Sequence, residues 1–127
     1  MISSVTKEVA GTPTKFKFSA DAQIALEDIR DMGIIKIAQD FFKRLEQEDV
    51  QTREVVQFLT LIGADGEGVE HAEARRIYSE LGLLGSIEVV ADCFDKAFPE
   101  LAEASEQAQA QKGKSAKNPR RAASKKK

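Results

Sequence analysis

Catalysis needs a nucleophile, a base or a metal ion held in position, and this sequence has few groups able to serve. His71 is the single histidine. It stands in Val69-Glu70-His71-Ala72-Glu73-Ala74 among acids, on what the spacing predicts to be an exposed helix face. Neither a second histidine nor a cysteine cluster completes a zinc set. Cys93 is the single cysteine. It cannot form an internal disulfide, so the fold does not depend on an oxidising compartment. Its setting in Val89-Val90-Ala91-Asp92-Cys93-Phe94 predicts a small residue on a helix flank, with no base to activate it. Asp65-Gly66-Glu67-Gly68 lacks the alternating ligands and terminal glutamate of a calcium loop and reads as a turn. Together these residue types predict a protein that is not an enzyme, uses no cofactor and works through its surfaces.

Those surfaces are electrically uneven. Residues 112–127 hold eight Lys and Arg and no acid, a charge of +8, whereas the rest holds 11 basic against 21 acidic residues, or -10. An acidic body repels phosphate backbones, so nucleic acid is not the expected partner. The tail alone could touch one electrostatically, but it has no aromatic residue on which bases could stack. At 127 residues, 42% hydrophobic and 31% charged, the chain has the make-up of one globular domain. No run approaches the roughly 20 apolar residues of a membrane span, and Met1-Ile2-Ser3-Ser4-Val5-Thr6-Lys7 has no basic region leading into a hydrophobic stretch. The expected setting is therefore the cytoplasm, away from membranes.

The elements that would present these surfaces fall into three segments. Residues 1–18 are expected to be extended: Val5-Thr6-Lys7-Glu8-Val9 and the alternating Thr14-Lys15-Phe16-Lys17-Phe18 flank the turn signal Gly11-Thr12-Pro13, which predicts a hairpin. A lone hairpin is marginal, so Phe16 and Phe18 must lie on the helical body or on a neighbouring molecule. Residues 19–105 read as a small mainly α domain of about five helices. Ser19 caps the first, whose stripe is Ala22, Ala25, Leu26, Ile29 and Met32 and whose stop is Gly33. The second, strongly amphipathic, carries Ile34, Ile37, Ala38, Phe41 and Leu45, widened by Ile35 and Phe42, with Lys36, Asp40, Lys43 and Arg44 outside. The third spans about Thr52 to Ile62, with Val55, Val56, Phe58, Leu59 and Ile62 inward. The fourth runs from about Val69 to Leu81, capped by Gly82. The fifth, Leu83 to Phe98, places Leu84, Ile87, Val90, Ala91, Phe94, Ala97 and Phe98 on one side, and Pro99 could open a last helix through Leu101 and Ala104. Residues 106–127 are low-complexity, polar and then basic: 106–111 can continue as a solvated helix, and 112–127 are expected to be disordered.

Two resemblances follow from these patterns. Leu81-Gly82-Leu83-Leu84-Gly85-Ser86-Ile87-Glu88-Val89-Val90 resembles the modified-serine segment of acyl carrier proteins, but Gly85 stands where that family has aspartate, and Ser86 is read instead as a helix N-cap. The more extended one covers residues 14–62. Thr14-Lys15-Phe16-Lys17-Phe18-Ser19 runs into Ala20-Asp21-Ala22-Gln23-Ile24-Ala25-Leu26-Glu27-Asp28-Ile29, then Gly33 and a second helix. This strand followed by an Ala-Leu-Glu-type helix resembles the tail assembly chaperones of long-tailed, lambda-like siphophages. The resemblance implies a mostly helical, self-associating protein of the host bacterial cytoplasm. It implies a protein that binds the tape measure protein during tail morphogenesis and is absent from the finished virion. It also implies a longer product made by ribosomal frameshifting, which recruits tail tube subunits, and Lys125-Lys126-Lys127 would suit an adenine-rich slippery site. A helical client calls for exposed apolar stripes, so Phe16, Phe18, Ile35, Lys36, Phe42, Lys43 and Arg44 are the candidate protein-binding residues. The alternative is a small adaptor or nucleic-acid-associated protein that acts through its basic C-terminal tail.

Overall fold

The computed structural model describes residues 2–99. The polar segment 106–111, the basic tail 112–127 expected to be disordered, and the last helix through Leu101 and Ala104 lie outside the described residues. Two strands, β1 (Val5–Val9) and β2 (Thr12–Phe16), precede four helices, α1 (Ala20–Arg30), α2 (Ile34–Glu46), α3 (Thr52–Ile62) and α4 (His71–Ala97), with a single 3-10 turn at Ala64–Gly66 between α3 and α4. The mainly helical class and the N-terminal hairpin are as expected. The count of about five helices is corrected to four, because the fourth and fifth form one run.

The hairpin turns two residues earlier than its sequence signal. Ala10 and Gly11 both take positive φ, 51° and 80°, which a two-residue turn of matching twist requires of its central pair. Thr12 and Pro13 are consequently strand residues, and Phe18 lies beyond the strand rather than at its end. Val5 faces Phe16, Lys7 faces Thr14 and Val9 faces Thr12. The body-facing side holds Val9 and Phe16, both buried, while Thr6, Glu8 and Lys15 point to solvent.

Ser19 caps α1 as its residue type predicts, its hydroxyl accepting from the Ala22 N–H at 3.1 Å. The same hydroxyl donates to the Gly66 carbonyl at 2.6 Å, and the Lys17 N–H donates to the Ile62 carbonyl at 3.0 Å. The chain leaving the hairpin is thereby stitched to the end of α3. Gly66 must be glycine on two counts: its φ is +87°, and a Cβ there would stand 2.7 Å from the Ser19 Cβ. The loop that superficially suggested calcium is a packing turn, with Asp65 accepting from the Ser4 hydroxyl and lying 3.8 Å from the Lys17 ammonium.

Gly33 does not stop α1. Asp31 does, in the left-handed conformation at φ 53° with its N–H on the Glu27 carbonyl, a geometry that short polar side chains tolerate. Gly33 instead opens α2, and the Glu27 carboxylate reaches across to accept from the Ile34 N–H at 2.8 Å.

Aromatic rings fill the centre. Phe16, Phe18, Phe41, Phe58 and Phe94 are all at most 1% exposed. Phe18 stacks on Phe94 with centroids 4.5 Å apart, and Phe58 meets Phe18, Phe41 and Phe94 edge-on at 6.1, 5.2 and 5.7 Å, the offset and T-shaped arrangements that ring quadrupoles favour. All five residues expected to point inward from α3 are buried.

α4 explains why two helices were expected where one run is found. Counting about 100° per residue, Ala74 and Ile77 in its first part and Ser86, Ile87, Val90, Cys93 and Phe94 in its second are buried on faces roughly half a turn apart. A continuous helix could not turn both faces to one body. Gly82 resets the phase at φ 77°, ψ 175°, a region open essentially to glycine alone. Two details of the expected fifth helix are corrected by this break. Leu84 is 79% exposed rather than inward. Ser86 is buried inside the helix rather than at its cap, and its hydroxyl finds no hydrogen-bond partner among the described residues; the carbonyl four residues back, the usual acceptor, belongs to Gly82, outside helical geometry.

Candidate interaction surface

α2 is amphipathic because Ile37, Ala38 and Phe41 recur at helical spacing and are buried, with Ile34 and Leu45 half-buried at the edges. What remains outside divides into two flanks. Ile35 and Phe42, seven residues apart, share one; Lys36 and Lys43 sit about 100° further round on the outermost face. Ile35 is 44% exposed, and Lys36 and Lys43 are exposed. Phe42 is half-buried, its ring edge-on to Phe41 at 5.6 Å and to Phe94 at 5.8 Å. These four candidates lie on one accessible side of the helix.

The other three candidates do not join them. Phe16 and Phe18 are 0% exposed, because the hairpin returns them to the helical body of the same chain. They are core, not a docking surface. Arg44 occupies the opposite flank, facing α3, where its guanidinium donates to both Glu54 oxygens at 2.5 and 2.6 Å and to Asp40 at 3.0 Å. Its charge is spent inside the fold.

Arg44 belongs to a network that locks three helices. Glu54 near the start of α3 also receives Arg30 from the end of α1 at 3.0 Å. Arg30 donates in addition to the Gln57 side-chain oxygen at 3.1 Å and lies 5.3 Å over the Phe58 ring. Burial pushes the Glu54 carboxyl upward, but the Arg44 and Arg30 guanidinium groups outweigh it and hold the group below the usual carboxylate range. Glu54 raises Arg44 in turn, against its burial. These side chains, with Asp49, Gln51 and Arg53, line an open polar cleft of about 470 Å³.

Sequence periodicity missed a further exposed group. Ile29 and Met32, assigned to the inner stripe of the first helix, are 53% and 37% exposed. Since α1 ends at Arg30 and α2 starts at Ile34, Ile29, Met32 and Ile35 all belong to the corner where the chain passes from α1 into α2. The signal was Asp31 before Met32-Gly33: a residue type tolerant of left-handed backbone ends the helix early and breaks the stripe. Ile24 is also 56% exposed, on the outer face of α1.

The residues first considered for chemistry are placed plainly. His71 is exposed at the first turn of α4. Cys93 is 1% exposed, and burial, with Asp92 adding its charge, pushes its thiol up to about 12, which leaves it protonated and inert at neutral pH. Buried Ser86 offers no hydroxyl to a modifying enzyme. No helix among the described residues is long and apolar enough to cross a membrane. The chain matches no known protein family, no curated protein and no solved structure.

Proposed function

We propose that this protein is a tail assembly chaperone of a long-tailed bacteriophage, which binds the tape measure protein in the host cytoplasm while the tail is built. The observation that carries the reading is the exposure of Ile29, Met32 and Ile35 at the corner between α1 and α2, with Lys36 and Lys43 exposed along α2. Three large apolar side chains within seven residues are costly to leave in water and suit the apolar stripe of a client helix. The order of strand, helix, Gly33 and helix, on which the resemblance to such chaperones rests, is also the order of β2, α1 and α2. On this reading the net negative body keeps client-bound complexes apart and soluble. Recruitment of tail tube subunits through a longer frameshifted product, and self-association, belong to the same proposal; Phe16 and Phe18 have no part in either.

Co-expression with the tape measure protein of its own phage provides the test. The client should copurify and gain soluble yield, and K36E combined with K43E should weaken capture while the helical circular-dichroism signal stays unchanged. An unaltered protein that neither captures nor solubilises that client would sink the assignment.

A further inference from the structure

The two edges of the hairpin differ. Because the turn has two residues, Val9 and Thr12 exchange both of their hydrogen bonds, and bonded pairs alternate from there: Lys7 with Thr14, then Val5 with Phe16. Thr6 and Glu8 of β1, and Pro13, Lys15 and Lys17 on the other side, therefore turn their backbone groups outward. The outer edge of β2 is blocked on either side of Lys15. Pro13 has no N–H to offer, and the Lys17 N–H is already donated to Ile62 at 3.0 Å. The outer edge of β1 is open: among the described residues no further strand pairs with it, and both Thr6 and Glu8 are exposed.

The ground beside that open edge is acidic. α4 packs on β1, whereas β2 packs on the 3-10 turn. Glu88 of α4, its side chain 61% exposed, accepts from Lys7 at 2.5 Å, and Asp92, one turn further along, adds its field at the same ammonium. Glu8 projects from the other side of the strand, where Lys15 of β2 faces Thr6, so the negative excess beside the edge lies on the α4 side, with Glu88 and Asp92 against Lys7.

We propose that the open edge of β1 takes up an extended, lysine- or arginine-bearing segment of a partner protein as a third strand. The backbone of that segment pairs with Thr6 and Glu8, and its basic side chains, projecting on the side of Lys7, meet Glu88 and Asp92. A second copy of this chain is disfavoured in the register centred on Lys7, which sets two lysines directly opposite each other, a destabilising pair; pairing between copies in any other register is an outcome of the test. The inference goes beyond the chaperone reading and does not use the corner at Ile35, so either can fail alone.

The test uses the full-length isotopically labelled protein and a synthetic peptide of about nine residues alternating lysine and valine, a length that covers one strand. Binding should slow hydrogen exchange at the Thr6 and Glu8 amides. E88Q combined with D92N should weaken it about tenfold, the order expected for loss of two exposed charge contacts. T6P, which removes an outward donor without touching a hairpin bond, should abolish the protection while leaving the Lys7 and Val9 amides protected. Equal binding by a glutamate–valine peptide would overturn the proposal. So would lysine-peptide binding that leaves Thr6 and Glu8 unprotected, or concentration-dependent protection of both amides without peptide, accompanied by dimerisation in sedimentation.

Discussion

Truncating Phe18 to alanine tests whether the hairpin is part of the core or a free arm. Phe18 is 0% exposed, stacks on Phe94 at 4.5 Å and meets the edge of Phe58 at 6.1 Å. Removing a fully buried ring forfeits its transfer free energy and leaves a cavity, together about 3–5 kcal/mol. The two ring contacts account for about 1–3 kcal/mol of that, at about 0.5–1.5 kcal/mol each. A domain of this size is stable by about 5–15 kcal/mol, so F18A should remove a large share and lower the melting temperature by about 12–40 °C, at about 4–8 °C per kcal/mol. Urea unfolding followed by far-ultraviolet circular dichroism measures the loss, and F18L, which keeps much of the volume but loses both ring contacts, should cost less than F18A. Sedimentation of both variants under folding conditions should show the oligomeric state of the parent. A loss below about 1 kcal/mol for F18A, or a change of oligomer without a change of stability, would refute the placement of Phe18 inside its own chain.

Three further outcomes follow from the same geometry. E54Q leaves Arg30 and Arg44 without their shared carboxylate and should destabilise by about 1–3 kcal/mol at pH 7 in urea titrations. Because the folded Glu54 carboxyl lies below its ordinary value, its contribution is present above the unfolded pKa and lost as pH falls through the folded one, so parent and variant should converge in acid. G82A forces a β-carbon into φ 77°, ψ 175° and should cost about 1–3 kcal/mol; nothing lies within 4 Å of that Cβ, so the cost is one of backbone conformation, and D-alanine introduced there by semisynthesis, whose mirrored preference suits positive φ, should cost less. S86A removes a buried hydroxyl without a partner among the described residues and should be neutral or stabilising in thermal melts, whereas a helix cap would lose about 0.5–2 kcal/mol.

Local physics was legible in the residues. Ser19 caps because its side chain can reach a free N–H three residues on, and α3 buries Val55, Val56, Phe58, Leu59 and Ile62 because their spacing follows the helical turn. Gly82 marked a break for a similar reason: the apolar pattern on either side of it cannot share one face. The candidate surface was legible only in part. Periodicity separates inside from outside along one helix, so Ile35, Lys36 and Lys43 were recognisable as outward or flanking residues. It does not say what lies opposite. Whether Phe16 and Phe18 cover this body or another, whether Arg44 meets solvent or Glu54 across ten residues of sequence, and whether Ile29 finds a neighbour are matters of how the helices cross. Those crossings are decided by long-range partners: the Lys17 bond to Ile62, the Ser19 bond to Gly66, and Glu54 shared between Arg30 and Arg44. Such contacts leave no period in the sequence, because each joins residues whose separation along the chain is arbitrary.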